Sequence, residues 1–153
     1  MSLKDTIKED MKTAFKAGDT TTRGTLSLLL SVVQNRELEK RAKSGETELT
    51  DDEVISAISS ELKKRKDAIG QYEAAGRPEL AASEKAEADI LMKYMPEQLT
   101  EDAVKALIAE AIASTGAASA KEMGKVMGQI TPKIKGKFDG GRASELVKAA
   151  LGA

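Results

Sequence analysis

Residues 62–102 read LKKRKDAIGQYEAAGRPELAASEKAEADILMKYMPEQLTED, and this stretch decides how the chain folds. Its centre, AAGRPE at residues 74–79, is typical of a turn between two helices, and Pro78 suits the first turn of the second one. Pro96 then closes that second helix. A chain that folds back at residues 74–79 lays two helices side by side and antiparallel, so the stretch predicts a helical hairpin.

The sequence on both sides of this hairpin also has a helical pattern. Apolar residues recur every three or four positions, and no period-two alternation bounded by turn residues predicts a strand. Helix starts are predicted at Ser2, at Thr22 or a neighbour, at a capping box of Thr50 with Glu53, at Pro78, at Thr100, at a second capping box of Ser119 with Glu122, and at about Gly141. The helix that starts at Ser119 is predicted to end at Pro132, and that of Pro78 at about Tyr94. We therefore predict an all-α fold, with a four-helix domain at residues 1–95 and a small three-helix domain at residues 97–153.

One position interrupts the apolar stripe of the third helix. The apolar members of that stripe are Ile55, Ile58, Leu62, Ile69 and Tyr72. Arg65 stands where the stripe calls for an apolar side chain, and the fourth helix has a matching interruption at Glu84 and Glu87. The antiparallel register brings position 65 opposite about position 88, so we predict a partly buried, bidentate ion pair between Arg65 and these acids. Fixing the register of the hairpin is one role for this pair, and binding a ligand is the other.

Composition excludes several kinds of chemistry. The chain has no Cys and no His, which removes disulfides, thiolate catalysis, the commonest general base and the commonest transition-metal ligand. We therefore expect no metal site, no cofactor and no catalytic residue in this chain alone. Ser60 and Lys63 match the S-x-x-K pattern of some hydrolases. The basic run KKRK around Lys63 adds repelling charge, so we interpret both residues as surface positions.

Charge and hydropathy set further limits. The longest apolar run, LSLLLSVV from Leu26, is far shorter than the ~20 residues that a membrane span needs. No basic-then-apolar leader is recognised, and we expect a cytoplasmic protein without membrane contact. With 24 basic and 25 acidic residues the net charge is −1, so any attraction to nucleic acid must be local.

The basic segment, KEMGKVMGQITPKIKGKFDGGR at residues 121–142, supplies such a local charge. Its basic residues are Lys121, Lys125, Lys133, Lys135, Lys137 and Arg142, which against Glu122 and Asp139 give +4 (six minus two). Lysines on a glycine-bearing loop can follow a phosphate backbone without reading bases, so we predict that these six bind nucleic acid. With 3% aromatic residues, recognition of a structured RNA by shape and phosphate fits better than base stacking, except at Phe138. A solvated surface that serves only solubility is the alternative.

Three blocks of the sequence resemble a known family. They are MSLKDTIKEDMKTAFKAGD at residues 1–19, most of the stretch 62–102, and EMGKVMGQITPKIKGKFDGGRASELVKAAL at residues 122–151. Together they are similar to YqeY-type proteins of the GatB/YqeY family, which resemble the C-terminal tail of the B subunit of the tRNA-dependent Asp/Glu amidotransferase. The resemblance implies a helical appendage that grips the body of a tRNA away from the chemistry. Ser27 stands where the family usually has an arginine, and Phe138 where it usually has a small residue.

Three functions from different classes remain open. The first is a non-catalytic module that binds tRNA or another structured RNA. The second is an accessory component of a glutamine-dependent carbon–nitrogen ligase of the amidotransferase type, which this chain could not run alone because it lacks Cys, His and a nucleotide-binding loop. The third is a module with a protein partner, which would dock in an exposed apolar groove around Met123, Met127 and Ile130.

Overall fold

The structure, a computed structural model, describes residues 1–152. Within them the chain forms seven α-helices and one short 3₁₀ turn and no strand, which confirms the all-α prediction. The elements are α1 (Leu3–Ala17), α2 (Thr20–Ser44), α3 (Asp51–Ala74), α4 (Pro78–Met92), α5 (Glu101–Thr115), the 3₁₀ turn (Ala120–Glu122), α6 (Met123–Ile134) and α7 (Gly140–Ala150). The chain divides into two compact units, Met1–Met95 and Pro96–Ala153. Independent folding of two domains stays a prediction.

Side-chain caps set the starts of three helices in the first unit. Asp19 caps α2 by accepting a hydrogen bond from the Thr22 backbone N–H at 3.0 Å. Ser2 Oγ accepts a hydrogen bond from the Asp5 backbone N–H at 3.1 Å, and the Asp5 carboxylate accepts from Ser2 in return, so a capping box begins α1. Thr50 Oγ1 accepts from the Glu53 backbone N–H at 3.2 Å and begins α3. Only this half of the predicted box has full hydrogen-bond geometry, and Glu53 Oε1 accepts a hydrogen bond from Lys40 of α2 at 2.9 Å.

An aliphatic core from all four helices holds the first unit together. Its fully buried side chains include Ile7, Leu26, Leu29, Val33, Val54, Ile58 and Leu91. On α3 the buried positions are Val54, Ala57, Ile58 and Arg65, whereas Ile55, which the sequence pattern placed in the stripe, is half-buried. The predicted stripe was therefore about one residue out of phase at its start, where Val54 rather than Ile55 is buried.

The second unit has an aliphatic core of its own. Val104 and Ile108 of α5 pack against Val126 and Ile130 of α6 and against Val147 of α7. All five side chains are at most 1% exposed. Thr100 caps α5 by accepting from the Ala103 backbone N–H at 3.1 Å, and Gly116, with φ of 68°, ends that helix in the left-handed conformation that glycine adopts without strain.

Two predicted helix boundaries of the second unit are wrong. Ser119 makes no capping hydrogen bond from its side chain, and the chain passes through the 3₁₀ turn before α6 begins at Met123. Pro132 does not end α6, which continues to Ile134. A proline costs a helix one backbone hydrogen bond, and in the last turn that loss is small enough for the helix to continue. In the first unit, α4 ends at Met92, slightly before the predicted end at about Tyr94.

Candidate nucleic-acid interface

The basic segment is mostly helical rather than an open loop. Lys121 lies in the 3₁₀ turn, Lys125 and Lys133 lie in α6, and Arg142 lies in the first turn of α7. Lys135 and Lys137 lie in the short connection between α6 and α7, for which we use the name lysine turn (residues 135–138). All six basic side chains are exposed to solvent.

The lysine turn has a defined backbone conformation. The Lys135 N–H donates to the Thr131 carbonyl at 3.1 Å, and the Lys137 N–H donates to the Ile134 carbonyl at 2.8 Å. Between them Gly136 has φ of 74°, a left-handed conformation that is costly for residues with a side chain. Gly136 is therefore required for the sharp change of direction that separates Lys135 from Lys137.

Two hydrogen bonds fix the lysine turn to the residues before α5. The Gln98 side-chain amide donates to the Gly136 carbonyl at 2.9 Å, and also to the Pro96 carbonyl at 2.8 Å. The Leu99 backbone N–H donates to the Lys137 carbonyl at 2.8 Å. The turn is thus held in one place, and sequence reasoning missed Gln98 and Leu99 because no local pattern links positions 38 residues apart.

Arg142 differs from the lysines of the segment because it is already paired. Its Nη2 donates to Glu101 Oε1 of α5 at 2.6 Å, and its Nη1 donates to Glu145 Oε2 at 2.9 Å. The hydrogen bond from Arg142 holds the pKa of the Glu101 carboxyl below its usual value, and the same contact raises the pKa of Arg142. These acids compete with any phosphate for the Arg142 guanidinium.

The five lysines of the basic segment have no such partner. Among residues 1–152, none of them lies within 4.0 Å of a carboxylate oxygen, whereas the ion pairs of the second unit are made by Lys105 and Arg142. Exposed ammonium groups without acidic neighbours attract anions. The five lysines therefore add unpaired positive charge to the surface of the second unit.

Two expectations for this segment concern apolar side chains. Phe138 is partly buried against the core of the second unit, so only part of its ring is open to a base. Ile130 is 1% exposed, and Met123 and Met127 are partly buried against the same core, so they do not form an exposed apolar groove. Their helical spacing reflects core packing, which is the commoner reason for such a pattern.

The remaining residues singled out from the sequence lie in the first unit. Ser60 Oγ accepts a hydrogen bond from the Arg36 guanidinium at 3.1 Å, and Lys63 is exposed. Ser60 is half-buried rather than at the surface, and a guanidinium beside its hydroxyl is not a proton acceptor. Within residues 1–152 no group of three acidic side chains is arranged to hold a metal ion.

Arg65 lies together with Glu84 and Glu87 between α3 and α4. Its Nη1 donates to Glu84 Oε2 at 3.1 Å and also to Glu87 Oε2, while its buried Nε has no partner among the described residues. One nitrogen is therefore shared by two carboxylates, which differs from the bidentate pair predicted. The Arg65 side chain is 10% exposed, so this cluster is far drier than the one around Arg142.

The chain is similar to one family model and to several fungal proteins. A family model described as Yqey-like protein matches residues 4–151. The Saccharomyces cerevisiae protein named Altered inheritance of mitochondria protein 41, mitochondrial, is 32% identical over 89 residues, which are 58% of this chain and 46% of that protein. The protein of the same name from Candida glabrata is 29% identical over 93 residues, 60% of this chain and 49% of that protein. A Schizosaccharomyces pombe protein described as uncharacterized is 30% identical over 96 residues, 63% of this chain and 74% of that protein.

These matches are partial in length. The chain spans about half the length of the Saccharomyces and Candida relatives. Their names refer to mitochondria, and the cytoplasmic location expected from the sequence stays a prediction. In the part of the chain that the structure describes, no helix combines the length and the apolar character that crossing a bilayer requires.

Proposed function

The chain belongs to the Yqey-like protein family, and we propose that it is a non-catalytic helical module that binds tRNA or another structured RNA. Binding runs through the five lysines of the basic segment, which contact phosphates. Because phosphate contacts carry no sequence information, the module recognises the shape of a folded RNA rather than its base sequence.

One observation carries this proposal: exposed lysines without acidic partners are presented by a turn that is held in place. The hydrogen bonds from Gln98 and Leu99 fix the lysine turn before any ligand arrives. A preformed site loses less conformational entropy on binding than a mobile loop does. Lys135 and Lys137 can therefore contribute to affinity without first ordering their backbone.

The resemblance to the tail of the amidotransferase B subunit supports tRNA as the RNA in question. That tail is a helical appendage that grips the tRNA body away from the reacting groups, and the present chain has the same role in our proposal. The ligase activity of the amidotransferase is not part of it, because a chain without Cys and His lacks the groups that would release ammonia from glutamine.

Salt dependence of binding tests the proposal. Each phosphate neutralised releases condensed counterions, so on the DNA scale log K falls against log salt by roughly 0.9 per contact. We expect a slope of about −3 to −5 for the full chain with folded tRNA. The variant Lys133→Gln/Lys135→Gln/Lys137→Gln should flatten that slope by about 2 to 3 and weaken binding to many tRNAs alike.

A matched control removes the same charge elsewhere. Lys63→Gln/Lys64→Gln/Lys66→Gln on α3 also deletes three exposed lysines, and it should leave the slope nearly unchanged. Binding would be measured with folded tRNA and with duplex DNA of equal length at several salt concentrations. Weak and equal binding to both, unaffected by the triple change at Lys133, Lys135 and Lys137, would overturn the proposal and favour a protein partner.

A further inference from the structure

Helix α1 carries a row of lysines that the proposed function does not use. Lys4, Lys8, Lys12 and Lys16 recur at every fourth residue, and each step advances about 6 Å along the helix axis. We call these four residues the α1 lysine row. Lys8, Lys12 and Lys16 are exposed, whereas Lys4 is half-buried in an ion pair with Glu37 of α2.

Acidic residues do not cancel the charge of this row at its far end. Asp5 is engaged in the capping box of α1, and Asp10 accepts a hydrogen bond from the Tyr94 hydroxyl at 2.6 Å. Glu9 pairs with Lys12 at 3.0 Å in an exposed contact. Lys16 has no carboxylate within 4.0 Å among residues 1–152. The C-terminal end of α1 therefore presents positive charge to solvent.

An exposed aromatic ring lies at the same end. Phe15 is 62% exposed, the largest exposure of any aromatic side chain in residues 1–152. The Arg23 guanidinium from the first turn of α2 lies over the ring, 4.7 Å from its centre, and it has no ion pair within those residues. With the guanidinium over the ring, the side chain is still 62% exposed, so part of the ring meets solvent. Phe15, Lys16 and Arg23 together form what we call the α1–α2 corner.

We propose that the α1–α2 corner is a second RNA contact, at which an unpaired base stacks on Phe15 while its neighbouring phosphates lie against Lys16 and Arg23. The inference rests on the proposed function, since it assigns to the first unit a contact with the same RNA. Aromatic rings bind bases of any sequence through their faces, and a guanidinium adds a cation to the stack.

Charge around the ring favours RNA over a protein as its occupant. Lys12 stands one helical turn before Phe15 and Lys16 directly follows it, and both are exposed and positively charged. The Asp19 carboxylate, at the start of α2, is occupied as a cap by the Thr22 backbone N–H and hydroxyl. The centre of a protein interface is depleted in charged residues, whereas nucleic acid pairs a stacking ring with cations. The corner thus offers a far more exposed ring than Phe138, which is partly buried against the core of the second unit.

The test uses the full chain with folded tRNA and with a blunt RNA duplex of equal length. Phe15→Leu keeps an apolar side chain and removes the ring, so it should weaken tRNA binding about 5-fold or more and leave the salt slope unchanged. Binding to the duplex, which has no unpaired base, should not change. Arg23→Gln should weaken tRNA binding and lower the slope by about 1.

Leu28→Ala is the matched control, since Leu28 is 54% exposed on α2 and should not affect RNA binding. Phe15→Trp supplies a second readout: the chain has no Trp, so the new indole emission reports this position alone, and tRNA should quench it. Equal urea midpoints would exclude misfolding of the variants.

The outcomes separate the two proposals. If Phe15→Leu binds tRNA as the unchanged chain does while the triple lysine variant is weakened, the corner is not a contact and the proposed function stands. Equal weakening toward tRNA and duplex would assign the ring a structural role and overturn the inference. If the unchanged chain binds tRNA without salt dependence, both proposals fail.

Discussion

Each unit of the chain holds one arginine between two glutamates, and the two clusters differ in their access to water. The Arg65 side chain is 10% exposed between α3 and α4, whereas the Arg142 side chain is 46% exposed on α7. Both guanidinium groups donate to two carboxylates. The number of acidic partners is the same, so the two clusters differ mainly in burial, which sets the cost of breaking each ion pair.

A buried ion pair is costly to break, because the partner left behind stays in a dry environment with its charge unpaired. An exposed pair is worth little, since water replaces either partner at once. We therefore expect Arg65 to be a structural residue of the hairpin, and Arg142 to exchange Glu101 for another anion at small cost. Arg142, which the sequence predicted to contact nucleic acid, is therefore paired with acids of its own chain, but these exposed ion pairs are weak.

Of the changes that compare the two units, producing each unit as a separate fragment should have the largest effect. We propose that residues 1–95 and 97–153 are domains that fold independently, because each has its own aliphatic core. Both fragments should keep helical circular dichroism and unfold cooperatively in urea. The fragment 96–153 should have the lower midpoint, because a chain of about 60 residues buries a smaller share of its surface. A fragment that is unfolded alone would contradict the domain boundary at Pro96.

Removing Arg65 should have the next largest effect. Arg65→Ala leaves Glu84 and Glu87 unpaired and partly buried, which should lower the free energy of unfolding by about 1–3 kcal/mol. Arg65→Leu should be less damaging, since leucine fills the stripe of α3. Adding Glu84→Gln and Glu87→Gln to Arg65→Leu should restore part of the loss. Urea titrations of the four proteins measure this, and equal stability of Arg65→Ala and the unchanged chain would contradict a structural role.

Changing Arg142 in the exposed cluster should have the smallest effect on stability, and this effect should depend on pH. Arg142 lowers the pKa of Glu101 from its ordinary value of 4.5, so the stabilisation is fully present above pH 4.5 and is lost as the pH falls through the lowered pKa. In Arg142→Gln the pKa of Glu101 should return toward 4.5, with little change in stability at neutral pH. Carboxyl resonances followed by NMR titration test this; an unchanged pKa would mean that Arg142 does not hold Glu101 in solution.

The sequence predicted those parts of the fold that depend on neighbours in the chain. Ser2 and Thr100 cap their helices because a hydroxyl reaches an N–H three residues away, and that spacing is visible in the sequence. Ser119 has the same spacing to Glu122 but makes no cap, because the chain enters a 3₁₀ turn there. The spacing is necessary for a capping box but does not ensure one.

Contacts between distant segments account for what the sequence missed. Arg142 appeared to be a free cation because its partner Glu101 lies 41 residues earlier, on another helix. The pairing of Arg65 with Glu84 and Glu87 was visible because a short turn fixes the register between α3 and α4. The sharing of one nitrogen by both acids depends on side-chain geometry, which no residue pattern contains.

The fixed lysine turn has a consequence for hydrogen exchange. The Leu99 N–H belongs to no helix, and backbone amides of this kind ordinarily exchange fast with solvent. Here it donates to the Lys137 carbonyl at 2.8 Å. Its proton therefore exchanges only when this hydrogen bond between Leu99 and the lysine turn breaks. The exchange rate of this single amide thus reports local opening in the second unit. An RNA bound to the lysines would slow that exchange without contacting Leu99 itself.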